Sequence, residues 1–278
     1  MALGLTQPAL SKTIHQLERE LKVQLFDRTP KGLVPTVYGD TLSLHARAVG
    51  AELRHAEREV AMLAGAAKGL VRIGVTPSIA GAILPLAAKR LHEDRPAIQL
   101  SVTEGLVQNH APALRRGELD LVVGGWARGM GADLVTEVVR TDVVGVYART
   151  GHPLGEGRIE LPWLLEYPWA MPPHTEFWID DLDRAFVSAG LSPPIPTVIS
   201  NSSVFITGTL RRTDYLSFLP SLLVRRALAA GEIAMLDVPE LLVPIDVNIT
   251  SRARTAPTAT VSAVIEAVRV ASAEVDET

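Results

Sequence analysis

Leu42, Ala46, Val49, Leu53, Ala56, Val60, Leu63 and Ala67 recur at alternating spacings of four and three without a slip. That register puts them on one stripe of a helix for more than three heptads, so residues 36–67 are expected to form a long rod with an apolar seam. Thr36 suits the N-cap and Asp40 the first turn, while Glu52, Arg54, Glu57, Arg58 and Glu59 place charge off the seam. Such a stripe packs either on the chain's own globule or on a second copy. The unbroken register and small side chains favour the copy, a self-dimer zipped through Leu42, Ala46, Val49, Leu53, Ala56, Val60 and Leu63.

A shorter amphipathic helix precedes the rod. Thr6 is a good N-cap, Pro8 falls where a missing N–H is harmless, and Leu5 is placed to staple onto Leu10. Leu10, Ile14, Leu17 and Leu21 share one face. Gln7, Ser11, Lys12 and His15 fall on the other, with side chains that bond base edges or phosphates, and Ala9 is small enough for a thymine methyl. Alone this is an ordinary surface helix. Its neighbour changes the reading: two short apolar runs in 25–36 flank Thr29-Pro30-Lys31-Gly32, a hairpin with Arg28 and Lys31 near its tip. A polar-faced helix followed by a basic hairpin has the layout of a winged helix-turn-helix, where the helix enters a major groove and the wing touches phosphate. A dimer also suits a reader of two half-sites.

Beyond Gly69, strand-like and helix-like segments alternate. Residues 70–75 read as a strand, 76–78 as a turn and cap, and the stretch to 93 as a helix. Strands at 98–102 and 119–123 flank a helix at 107–117, and Gly124-Gly125 reads as a break. This rhythm implies βαβ units and a mostly parallel sheet. Residues 138–147 lead to a second lobe, with helices at 180–190, 204–212 and 221–230 and strands at 197–200 and 215–219. The chain returns near 244–249, and a last helix, 258–273, is assigned to the first lobe. Two crossings between two α/β lobes describe a clamshell, whose ligands sit in the crevice at strand C-termini.

Thr76, Pro77 and Ser78 end a strand and open a helix in the first lobe; Asn201, Ser202 and Ser203, after Ser200, do the same in the second. Each corner offers hydroxyls beside N–H groups at a positive helix end, which suits a carboxylate or similar anion. Singly, each is equally an ordinary cap. Residues 163–178 hold 5 of the chain's 13 aromatics among prolines, a rigid loop with a short strand at most. They form either an aromatic wall for a ring-bearing ligand or a hydrophobic plug, and Trp126 is open to the same two readings.

Composition narrows the classes. With 278 residues, 47% of them hydrophobic, the chain can bury one large core or two modest ones. Net charge is −4, and residues 1–66 carry 8 Lys and Arg against 7 Asp and Glu, so DNA contact would rest on a few placed cations. No cysteine, no signal segment and no run of 18 apolar residues leave a cytoplasmic protein without membrane contact as the expectation. There is no Gly-x-Ser-x-Gly, no phosphate-cradling glycine loop and no His-Glu-x-x-His. The 7 histidines, His15, His45, His55, His92, His110, His152 and His174, show no ligand spacing. No catalytic residue, metal site or cofactor is expected; a small-molecule effector is.

Thr6-Gln7-Pro8-Ala9-Leu10-Ser11-Lys12, Gln16-Leu17-Glu18, Leu25-Phe26-Asp27-Arg28 and Pro35-Thr36-Val37-Tyr38-Gly39 resemble the LysR-type transcriptional regulators. The resemblance covers essentially the whole chain. It implies an α/β protein: a winged helix-turn-helix (1–35), a dimerisation linker helix (36–67) and a two-lobed, periplasmic-binding-protein-like effector domain (68–278). Lobe I would take about 68–143 and 248–278, and lobe II about 144–247. By resemblance, Gln7, Pro8, Ala9, Ser11 and Lys12 face operator DNA, with Arg28 and Lys31 in the wing. The corners at Thr76 and Asn201 would face each other across the cleft and hold a small organic anion. Family members also assemble as dimers of dimers. Relative to that family, the motif here lacks its first helix and most of its second, so weak operator binding is expected. The alternative is a dimeric small-molecule-binding module that does not read DNA.

Overall fold

The computed structural model describes residues 6–30, 32–63, 69–125, 131, 133–173, 178–253 and 256–276. Leu5, Lys31, Ala67, Trp126 and His174 lie outside the described residues, as do the side chains of Arg28, His55 and Leu63. The chain divides into two compact units, Met1–Glu57 and Arg58–Thr278.

In the first unit, α1 (Gln7–Leu21) follows an extended Thr6 and carries Pro8 in its opening turn. Thr6 makes no side-chain cap bond, so Pro8, which needs no N–H partner, does most to start the helix. The helix closes on Lys22 in the left-handed region (φ 56), whose N–H donates to the Glu18 carbonyl. Strands β1 (Phe26–Thr29) and β2 (Gly32–Pro35) form the expected antiparallel hairpin. The Glu18 carboxylate accepts the N–H groups of Leu25 (2.9 Å) and Phe26 (3.4 Å), tying α1 to the hairpin. The Leu25 bond, with help from His15 and Phe26, holds that carboxyl below the usual carboxylate range.

Thr36 joins hairpin to rod. Its hydroxyl donates to the Gln24 carbonyl (2.7 Å) and accepts the Gly39 N–H (3.2 Å), which caps α2 (Val37–Leu63) as its residue type suggested. Gly39 is buried against the Leu25 carbonyl, where a Cβ would lie 2.1 Å from the oxygen.

The second unit is built on a mixed sheet. Its elements are β3 (Gly69–Val75), α3 (Pro77–Ala82), α4 (Leu84–Asp94), β4 (Ile98–Glu104), α5 (Val107–Arg115), β5 (Leu121–Gly125) and the long β6 (Leu134–Arg149). Then come α6 (Leu161–Leu164), β7 (Ala170–Met171), α7 (Ile179–Ser188), β8 (Val198–Ile199), α8 (Ser203–Leu210), β9 (Ser217–Pro220) and α9 (Ser221–Ala229). β10 (Ile233–Met235), β11 (Val243–Arg252) and α10 (Ala259–Glu274) complete it. Strands run in the order β10-β6-β11-β5-β3-β4, with β9 also on β6.

Three expectations are corrected. In the main sheet only β4, β3 and β5 are parallel, while β11, β6, β9 and β10 pair antiparallel; β7 and β8 form a separate parallel pair. Strand periodicity reports burial and not direction, so the sequence pattern could not separate the two. The helix expected up to 93 is broken at Ile83, where Pro85 restarts it as α4 without needing an N–H partner. Gly124 and Gly125 are not a break: they extend β5 opposite Asn248 and Val247.

Two cores define two lobes. Val71, Ile73, Val75, Ile79, Ile83, Leu121 and Val123 pack with Val264 and Val268 of α10. Val144, Val146, Trp169, Phe186, Phe218 and Leu236 form the second, beside a cluster of Tyr147, Ile206, Leu219 and Val224. β6 and β11 supply both lobes and pair from Leu134↔Arg252 to Val144↔Val243, with Val139 as an extra residue where the register shifts.

Candidate functional site

A cavity of about 660 Å³, partly open to solvent, is walled by both lobes. Thr76, Pro77 and Ser78 contribute from the first lobe and Ser200, Asn201 and Ser203 from the second. The two corners singled out in the sequence therefore meet around one space.

Local chemistry builds each corner. β3 ends at Val75, whose carbonyl accepts the Gly105 N–H (3.0 Å), and the Thr76 N–H donates to the Val123 carbonyl (3.2 Å). These bonds pin the junction of β3 and α3 to the end of β4 and the middle of β5. The Thr76 hydroxyl does not cap α3; it lies 3.1 Å from the Ser78 hydroxyl, a polar pair at the cavity wall. In the second lobe the Ser200 N–H donates to Met171 O (3.0 Å) and the Ser202 N–H to the Ser200 hydroxyl (3.1 Å). Ser202 differs from its neighbours. Its hydroxyl accepts the Phe205 N–H (3.2 Å), so it caps α8 and is absent from the cavity lining.

The remaining wall is mostly apolar, with Leu106, Pro172, Pro173, Trp178, Ile206 and Leu223 among its members. The aromatic segment thus splits. Trp178 lines the cavity, Trp169 is sealed in the core with its indole N–H donating to Leu164 O (3.1 Å), and Trp163 faces solvent.

Sequence reading missed Asp142, which also lines the cavity and is 3% exposed. It sits on β6, accepts the Val143 N–H (2.8 Å), the Ser221 hydroxyl and the Leu222 N–H (3.3 Å), and so caps α9 from another element. An acid inside the valine-rich run of 135–146 was the available signal.

In the first unit, Gln7, Pro8, Ser11, Lys12 and His15 are exposed along α1 and Ala9 is half-buried. His15 pairs with Glu18 (3.1 Å). Along α2, Leu42 is half-buried while Ala46, Val49, Leu53, Ala56 and Val60 are exposed, the last at 65%. Among the described residues no group of three or more His, Cys, Asp and Glu is placed to hold a metal ion, and no helix is long and apolar enough to cross a membrane.

Residues 64–272 match the LysR substrate binding domain, and residues 1–40 match the bacterial regulatory helix-turn-helix proteins of the lysR family. The HTH-type transcriptional regulator GalR of Pseudomonas putida is 32% identical over 84% of this chain, a match that spans 59% of GalR's own length. PcaQ of Agrobacterium fabrum, also named an HTH-type transcriptional regulator, is 31% identical over 98% of this chain and 88% of that protein. The solved full-length LysG of Corynebacterium glutamicum, with the effector Arg bound, has the same fold at a TM-score of 0.64. It is 18% identical, over 98% of this chain and 90% of that one. A helix-turn-helix match ahead of a substrate-binding-domain match, together covering most of the sequence, leads to one conclusion: the chain belongs to the LysR family of transcriptional regulators.

Proposed function

We propose that this chain is an effector-responsive, DNA-binding regulator whose crevice holds a small organic acid. The observation that carries the reading is the convergence of Thr76, Pro77 and Ser78 with Ser200, Asn201 and Ser203 on one cavity. Neutral hydroxyls and backbone N–H groups at such a site bind a carboxylate by donation. Gln7, Pro8, Ala9, Ser11, Lys12 and His15 form the face offered to operator DNA, with Arg28 and Lys31 for phosphate. Its partners are operator DNA, the effector and a second copy of itself, and a cytoplasmic setting accords with that role. No catalytic residue, metal or further cofactor enters this reading.

A thermal-shift screen over small organic acids tests the crevice. A ligand at a hundred times its dissociation constant stabilises the fold by roughly 2.7 kcal/mol. Ser78→Leu combined with Ser203→Leu is expected to abolish that stabilisation while the unliganded melting temperature stays near wild type. Undiminished stabilisation in the double variant would sink the site.

The exposed row Ala46, Val49, Leu53, Ala56 and Val60 is read as a dimer seam. Leu53→Glu is expected to shift sedimentation toward the monomer, and an unchanged dimer would remove the seam from the account. A second reading, a dimeric ligand-binding module without DNA contact, draws on one observation: no residue of α1 is buried. An operator gel shift separates the two readings.

A further inference from the structure

Asp142 is the ionisable group among the described residues that line the crevice. Its carboxylate has two oxygens with about four acceptor positions. Among the described residues three are filled: Val143 N–H and Ser221 O–H donate to Oδ1, and Leu222 N–H to Oδ2. One acceptor position on Oδ2 is therefore left over beside a cavity wall that is otherwise neutral and largely apolar.

Donors from β6 and from the start of α9 hold the Asp142 carboxylate in place in the wall. A ligand carboxylate placed beside it meets like charge. The hydroxyls of Ser78 and Ser203 can donate to a carboxylate, whereas the Asp142 carboxylate can only accept.

Building on the reading of the crevice as the effector site, we infer that the effector is a carboxylic acid with an apolar middle and a hydrogen-bond donor, hydroxyl or amine, that reaches Asp142. The same aspartate then selects against acids whose second carboxylate falls beside it. Specificity of this kind combines an attractive contact for one ligand with a repulsive one for its competitor. A donor on a charged acceptor is worth about tenfold in affinity or more.

Two ladders of probes test the inference on the full chain by calorimetry and thermal shift. The aromatic ladder is benzoate, 4-hydroxybenzoate, 4-(aminomethyl)benzoate and terephthalate, run with its meta isomers. The aliphatic ladder is hexanoate, 6-hydroxyhexanoate, 6-aminohexanoate and adipate. In at least one ladder the hydroxy or amino acid is expected to bind about tenfold tighter than the parent acid, with the diacid weakest. The hydroxyl and amine arms identify which donor is used. In Asp142→Asn the donor advantage should shrink and the diacid should gain. The wild-type ladders read the inference even if that variant melts early. Diacids binding as tightly as the hydroxy or amino acids, or donors adding nothing, would overturn the inference and leave the crevice as an acid site. No stabilisation by any probe in either ladder would overturn the acid-binding reading itself.

Discussion

Replacing Gly39 by alanine is expected to loosen the first unit by about 2 kcal/mol, the balance of two opposed effects. Alanine gains about 1 kcal/mol over glycine inside a helix. Against that, its Cβ would sit 2.1 Å from the Leu25 carbonyl oxygen and 3.1 Å from the carbonyl carbon. That carbonyl accepts the Thr36 N–H (2.9 Å), and the Leu25 N–H is held by Glu18 (2.9 Å). Leu25 itself is 3% exposed. The obstacle is backbone fixed from both sides, so α2 must lift away, at an overpacking cost of about 3 kcal/mol. Hydrogen exchange localises the effect: the Leu25 and Thr36 amides should exchange about thirtyfold faster. Amides in the core of the second unit should keep their rates. Unchanged exchange at Leu25 and Thr36 would refute the argument.

Gly124→Ala should cost about 1–2 kcal/mol and, more tellingly, should weaken effector binding by at least about tenfold. Here the new Cβ would meet Thr76 Cγ2 at 2.5 Å and Oγ1 at 2.9 Å. Thr76 has little room to yield: its N–H is bonded to Val123 O, its hydroxyl pairs with Ser78, and a β-branched side chain has few rotamers. The simplest escape is toward the cavity, where Thr76 would occupy ligand space. Thr76→Ser removes the methyl that causes the closest clash. Binding should therefore recover in Gly124→Ala/Thr76→Ser, a coupling that a double-mutant cycle measures. Strictly additive effects would show that the two residues do not share the site as described.

What could be read from the chain alone followed locality. The rod was legible because its seam repeats within one helix, and Thr36 because an N-cap acts on a residue three positions on. Ser78, Asn201 and Ser203 were legible for a similar reason, since the end of a strand and the start of a helix are written in adjacent residues. Gly124 was misread because a glycine pair looks like a break, whereas this one makes room for a threonine from another strand end. Asp142 escaped because the hydroxyl it accepts belongs to Ser221, 79 residues later. Trp169 and Trp178 have the same residue type in the same proline-rich segment; only tertiary packing sends one to the core and the other to the cavity.

The pairing of β6 with β11 has a mechanical corollary. Both chain passages between the lobes are bonded to each other along this ladder, so neither acts as a slack tether. Relative movement of the two halves must twist a short ribbon about its own axis, and swinging or sliding would break the rungs. The surplus residue Val139 marks where such a torsion spring bends most easily, because a bulge concentrates twist.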